Sequence, residues 1–185
     1  MIIPAAFTYV LCFLTRAGKA GTRTSLTGTC TSLAGTRGDR VLMLHRLNPP
    51  NQGLWNGVGG RLEADEAPRA ACLREVREET GFVVPEVRFA GLLTWSGFPG
   101  HADGGLYIFT APAPVGEPGT CAEGELRWQP RAWVYTAADV VENIHYFAPC
   151  VLDGAPPCVY HFEYGAQGQI LHHEVYALPF WVVGI

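Results

Sequence analysis

Apolar residues recur along this chain with two different spacings, and the change from one to the other marks its elements. Phe7 to Leu14 is rich in β-branched and aromatic residues and predicts a strand. Arg40 to His45 predicts a second, Val87 to Trp95 and Leu106 to Ala111 a pair, and Leu126 to Tyr135 a further one. Tyr160 to Tyr164 and Gln169 to Tyr176 predict a closing hairpin about Gly165 to Gly168. Helical spacing takes over after Pro68, where Ala70, Leu73 and Val76 give an apolar stripe. Pro68 suits a first helical position and Gly81 supplies a left-handed stop. Ala67, at the cap position, offers no side-chain acceptor, a choice costing about 1 kcal/mol relative to Ser or Asp. Asp139 to Leu152 predicts a second helical region, kinked at Pro149 and stopped near Gly154. Turn chemistry fills the gaps: Asn48-Pro-Pro-Asn-Gln-Gly, and a hairpin signal at Asp103-Gly104-Gly105. The glycines of Leu54 to Gly60 would let backbone approach a ligand closely.

Two stretches break the pattern. Gly18 to Asp39 is rich in Gly, Thr and Ser and nearly repeats itself, Thr24-Ser-Leu-Thr-Gly-Thr-Cys being followed by Thr31-Ser-Leu-Ala-Gly-Thr-Arg. A short echo occurring twice is no solenoid, and the segment is expected to be a flexible hairpin loop inserted between two neighbouring strands. At the other end, Pro179 to Ile185 is strongly apolar and is expected to pack on the fold or on a second subunit.

Composition narrows the class without naming a reaction. The 185 residues are one domain's worth of chain, and 48% hydrophobic with 11% aromatic content excludes general disorder. A net charge of −4 gives no basic footprint for stable nucleic-acid binding. Ile2 to Leu14 is too short to span a bilayer and reads as a strand. The six cysteines form no Cys-x-x-Cys, so free thiols in a reducing cytoplasm are expected.

The acids of the first helix change the picture. Glu75, Glu78 and Glu79 stand at i, i+3 and i+4 and share one face. Like charges repel at that spacing, and the last turn of a helix already disfavours anions. A solvated face would mix signs and place Lys or Arg at that end. Three carboxylates converging there predict a cation, and hard oxygen ligands favour Mg²⁺ or Mn²⁺. Arg74 can pair with Glu78, fixing one carboxylate.

Gly60, Glu66, Arg74-Glu75-Val76, Glu78-Glu79 and Gly81-Phe82, with their spacing, resemble the complete signature of the Nudix hydrolases. The resemblance implies an α/β/α sandwich with a mixed sheet, a single domain over residues 1–185, and hydrolysis of a nucleoside diphosphate linked to another moiety. It implies metal held by Glu75, Glu78, Glu79 and the carbonyl of Gly59, joined by an acid from a later loop. Glu125 is preferred over Glu123 for that place. Arg74, Glu75 and Glu78 form the expected catalytic set, with Glu75 as base.

Outside the signature the chain is similar to the branch that hydrolyses oxidised purine nucleoside triphosphates, such as 8-oxo-dGTP, to monophosphate and pyrophosphate. The residues carrying this are Trp55-Asn56-Gly57, Gly91, Trp95, Glu125-Leu126-Arg127, Glu142-Asn143 and Tyr146-Phe147. Asn56 would bond the purine edge, Trp95 would line or stack on the base, and Glu142 with Asn143 would read it. Thr8 and Tyr146 fall at the same pocket, and Arg46 would face the phosphates. Asn143 stands where that branch has an acid, and Val140 near where it has an indole. The alternatives are another Nudix substrate (dinucleoside polyphosphate, nucleotide sugar or RNA 5′ end) and a non-catalytic nucleotide-binding regulator. A regulator would be expected to lose the acids that this chain keeps. Either a monomer or a homodimer fits the sequence.

Overall fold

The structure, a computed structural model, describes residues 7–17 and 39–178. The expected insertion and the apolar tail therefore lie outside the described residues, apart from Asp39. Strands β1 (Phe7–Arg16), β2 (Arg40–Arg46) and β3 (Trp55–Asn56) precede helix α1 (Pro68–Thr80). Then come β4 (Arg88–Ser96), β5 (Gly104–Pro112), β6 (Gly124–Pro130), the short helices α2 (Arg131–Val134) and α3 (Ile144–Leu152), β7 (Cys158–Tyr164) and β8 (Ile170–Ala177).

The sheet is mixed. Its order is β3-β2-β1-β5-β4-β7-β8, with β6 also on β2. β1 runs parallel to β5 and β4 parallel to β7, while the other pairings are antiparallel. Alternation along β1 divides the core between two faces. Val10, Cys12 and Leu14 pack with Ala71, Cys72 and Val76 of α1. Leu11 and Phe13 pack with Ile144, Phe147 and Val151 of α3. Helices therefore cover both sides of the sheet, the layered arrangement expected from the sequence.

Three expectations need correction. Leu126 to Tyr135 is not one strand: β6 ends at Pro130 and α2 follows, its Arg131 side chain held by Tyr135 and Asp153. The second helix starts at Ile144, because residues 139–143 are spent in turns that close through Val140 N–H to Ala137 O and Val141 N–H to Trp55 O. Pro149 lies inside α3, as expected. On α1 the buried stripe is Ala71, Cys72, Val76, Glu79 and Thr80, with Ala70 exposed and Leu73 half-buried. That rotation carries Glu79 toward the sheet, whereas Glu78 stays in solvent. Ala67 makes no side-chain cap, and Gly81 ends the helix at φ 74° with its N–H on Arg77 O.

β1 and β2 pair only at Thr15–Val41 and Arg16–Arg40, then diverge. The segment before α1 fills the gap. Cys12 and Val58 exchange both backbone hydrogen bonds, and Val10 N–H donates to Gly60 O. This segment positions the site.

Candidate active site

Backbone alternation decides what Gly59 can do. Val58 N–H and C=O and the Gly60 C=O are spent on β1, and the Gly59 N–H points the other way, toward Glu79 in the C-terminal turn of α1. A side chain here would collide with Val10 O, and φ is 148°, so glycine is required. Gly57 and Gly59 approach the β1 backbone closely, and Gly57, Gly59 and Gly60 all stand in the cleft wall.

Gly59 N–H donates to Glu79 Oε2 at 2.8 Å. The other oxygen, Oε1, is buried without a hydrogen-bond partner among the described residues. Burial pushes the Glu79 carboxyl up to about 8, against the Gly59 donor, and the nearby carboxylates of Glu123 and Glu75 push the same way. Glu75 is also raised by burial, opposed by Arg74. Its carboxylate lies against the Cα of Gly60, where a Cβ would overlap it.

Arg74 organises the remaining acids. Its Nε and Nη2 each donate to Glu66 at 2.9 Å, and Nη1 donates to Glu75 at 2.9 Å and to Glu78 at 3.2 Å. Nη2 also reaches the Arg61 carbonyl. The guanidinium holds the Glu66 carboxyl below its ordinary range. Glu75 and Glu78 thus lie on Arg74 while Glu79 turns to Gly59. Among the described residues, no three His, Cys, Asp or Glu side chains are gathered tightly enough to hold one ion. The acids stand in two groups, Glu75 and Glu78 on Arg74 and Glu79 on Gly59, because each carboxylate takes the nearest strong donor. The donor set still fits a hard divalent cation: the Glu79 oxygen is buried and orphaned, and Glu75 and Glu123 add negative charge beside it.

A cleft of about 470 Å³ opens beside Gly59 and Gly60, the backbone against which Glu79 and Glu75 lie. Gly59, Gly60, Arg46 and Glu123 line one end; Asn56, Trp95, Glu142, Asn143 and Tyr164 line the other. Arg46 binds Glu123 at 3.2 Å and Pro50 O at 3.0 Å. Asn56 Oδ1 accepts from Gly57 N–H, leaving its amide nitrogen without a partner among the described residues. The Trp95 indole lies over Gly104, where a Cβ would stand 2.8 Å from the ring, and donates to Ala102 O.

Three expected residues fall elsewhere. Glu125 does not line the cleft; it is exposed and paired with Arg127, while Glu123 stands in the wall. Thr8 is the extra residue of a bulge in β1, where Phe7 opposes Gly105 and Tyr9 opposes Leu106, so Tyr9 reaches the cleft instead. Tyr146 is 41% exposed and packs on Phe162 and His173, outside the cleft. Val140 is core, 2% exposed. Sequence reading missed Tyr9, Glu123 and Tyr164. Only Glu123 carried a signal, as the rejected neighbour of Glu125. His161 pairs with Thr94 and His145 with Ala137 O. The five cysteines among the described residues are free.

The NUDIX domain pattern matches residues 29–149, well over half of the chain. The chain belongs to the Nudix family. An oxidised purine nucleoside triphosphate hydrolase from Mus musculus is 28% identical over 138 residues, 74% of this chain and 86% of the mouse protein. An uncharacterised Nudix hydrolase from Bacillus subtilis is 31% identical over 94 residues. That match takes in 49% of this Nudix chain and only 58% of the Bacillus protein, under two thirds of the relative's length. A crystal structure of a mutator MutT protein from Bacillus halodurans superposes with a TM-score of 0.70 at 21% identity, covering 92% of this chain and 98% of that one. At that identity the likeness shows the shared fold. No helix among the described residues is long and apolar enough to cross a membrane.

Proposed function

We propose that this Nudix protein hydrolyses oxidised purine nucleoside triphosphates, 8-oxo-dGTP being the reference substrate, to the monophosphate and pyrophosphate. The observation that carries the reading is one cleft lined both by Gly59 and Gly60, against which Glu79 and Glu75 lie, and by a polar and aromatic set that includes Asn56, Trp95, Glu142 and Asn143. The mouse relative, named for that activity, supports it. Glu75, Glu78, Glu79 and the Gly59 carbonyl would hold Mg²⁺, with Mn²⁺ as a substitute. Such an ion neutralises phosphoryl oxygens and lowers the pKa of bound water. Glu123 takes the place first given to Glu125, since it alone of the two stands in the wall and acts on Glu79.

The chain's own residues divide the remaining work. Glu75 serves as the base, its raised pKa bringing it nearer neutrality. Arg74 holds Glu75 and Glu78 in place. Arg46 faces the phosphates from the same end of the cleft and releases Glu123 to do so. At the far end the free amide nitrogen of Asn56 meets the purine edge, Trp95 stacks on the base, and Glu142 with Asn143 reads it. Pyrophosphate release should be measured with Mg²⁺ across normal and oxidised nucleoside triphosphates. The expected result is highest kcat/KM on an oxidised purine. A preference for pyrimidine triphosphates, or for nucleotide sugars over all triphosphates, would overturn it.

A further inference from the structure

β8 closes one edge of the sheet: among the described residues it pairs with β7 and has no strand on its other side. An edge strand offers a row of unpaired backbone N–H and C=O groups, which soluble proteins ordinarily cover or interrupt. Here five consecutive side chains, Leu171 to Val175, are exposed. Leu171 is 64% and Val175 56% exposed, high values for large apolar residues. Tyr146 of α3 lies against His173, ring centroids 4.4 Å apart, and adds a half-exposed aromatic surface at the middle of the edge.

The order of those five residues names the partner. Outward from His173 in both directions, they match: His172 and Glu174 flank it, then Leu171 and Val175. A two-fold axis normal to the sheet sets two copies of one strand antiparallel and opposes residues an even number of positions apart. With the axis at His173, His172 meets Glu174 of the second copy and Leu171 meets its Val175, each pair formed twice. His172 Nε2 already lies 3.2 Å from Glu174 of its own strand, so imidazole and carboxylate share the face on which they would meet. Moving the axis one residue toward the C-terminus sets Glu174 against itself, and one residue the other way sets it against Ile170. Directly opposed like charges destabilise a strand pair, while opposite-charge and apolar pairs stabilise it, so one register is favoured.

We propose that β8 is a self-complementary interface, on which a second copy of this chain lays its own β8 antiparallel about an axis at His173. The pairing is short. A bulge at Leu171, where His172 opposes Glu163 but Ile170 opposes Tyr164, bends the strand and ends the regular edge there. Five opposed residues a side bury less than the roughly 1,600 Å² of a standard interface, so the dimer dissociates on dilution. No residue of β8 lines the cleft, and the proposal stands apart from any choice of substrate.

Sedimentation velocity over a dilution series of the full chain tests it. Wild type should pass from dimer to monomer on dilution, and its Tm should rise with protein concentration. Val175→Lys sets a charge against Leu171 of the second copy, so Kd should rise about tenfold or more while the Tm of the dilute protein is kept. His173→Cys places a thiol on the axis. Mild oxidation by a small-molecule disulfide should join two copies through the introduced thiols, as located by peptide mass, whereas Val175→Cys should not join to itself. A chain monomeric at every concentration, a dimer that Val175→Lys leaves intact, or cross-linking of Val175→Cys in place of His173→Cys would overturn the proposal.

Discussion

The two ends of the cleft are built by opposite means. At the phosphate end the signature acids and Arg74 come from one contiguous stretch, Gly59 to Glu79, with Arg46 and Glu123 added from outside it, and each signature carboxylate meets a donor from that stretch. At the base end Asn56, Trp95, Asn143 and Tyr164 come from four separate elements or turns, and their polar contacts are few and neutral. The first end is made by helix periodicity and electrostatics, the second by sheet order. Losses at the first should therefore be large and indifferent to substrate, and losses at the second smaller and selective.

The sharpest way to break that contrast is at the acids. Glu78→Gln and Glu79→Gln should each lower kcat by about two to four orders of magnitude on every substrate, since an electrostatic contribution of several kcal/mol is lost and each 1.36 kcal/mol is tenfold. Steady-state kinetics on 8-oxo-dGTP and dCTP would check it, and an unchanged rate for both variants would remove the metal assignment. A smaller effect separates the two candidates for the further acid. Glu123→Gln should cost about tenfold or more in kcat, whereas Glu125→Gln, which only frees Arg127, should stay near wild type. The reverse order would restore Glu125.

How far the sequence could be read follows the same division. The acids of α1 were legible because helical spacing puts residues three and four apart on one face whatever else the chain does. Which of them is buried was not legible. Val76, a core residue on any reading, is compatible with several rotations, and only packing on Val10 and Cys12 turns Glu79 inward. Thr8 and Tyr9 were exchanged because one bulge reverses which side chains face the cleft, and a bulge leaves no mark in this sequence. Tyr164 was invisible for a different reason. β7 reaches the site through its parallel pairing with β4, a contact between Trp95 and Phe162 that no local pattern announces.

At the base end the changes should be selective. Asn56→Ala and Glu142→Ala should lose more kcat/KM on 8-oxo-dGTP than on dCTP, which has no purine edge to read. Trp95→Ala should weaken all purines by about 1–3 kcal/mol, the worth of one base stacked on an aromatic ring. Equal losses on purines and pyrimidines would make these residues part of the scaffold.

The smallest expected effect concerns pH and needs no substrate. Glu79, pushed up to about 8 from an ordinary 4.5, binds its proton more tightly folded than unfolded. The stability tied to that proton is fully present below about pH 4.5 and is lost as pH rises through about 8. With chelator present, the Tm of wild type should fall across that window, and Glu79→Gln should flatten the fall. Thermal melts at several pH values would show it, and identical pH profiles would mean Glu79 is ionised in the folded protein.

The exchange of hydrogen bonds between Val58 and Cys12 has a consequence for how this loop can vary. Backbone direction along an extended segment reverses with every residue, so the amide of Gly59 faces Glu79 only because an odd step separates it from Val58 and from Gly60. Inserting one residue between Asn56 and Gly59 would keep every glycine and every acid, yet turn that amide toward β1 and present its neighbour's in exchange. Two residues would restore the parity but displace the chain by a full pleat. The spacing before α1 acts as a parity lock: its length is constrained as tightly as its glycines.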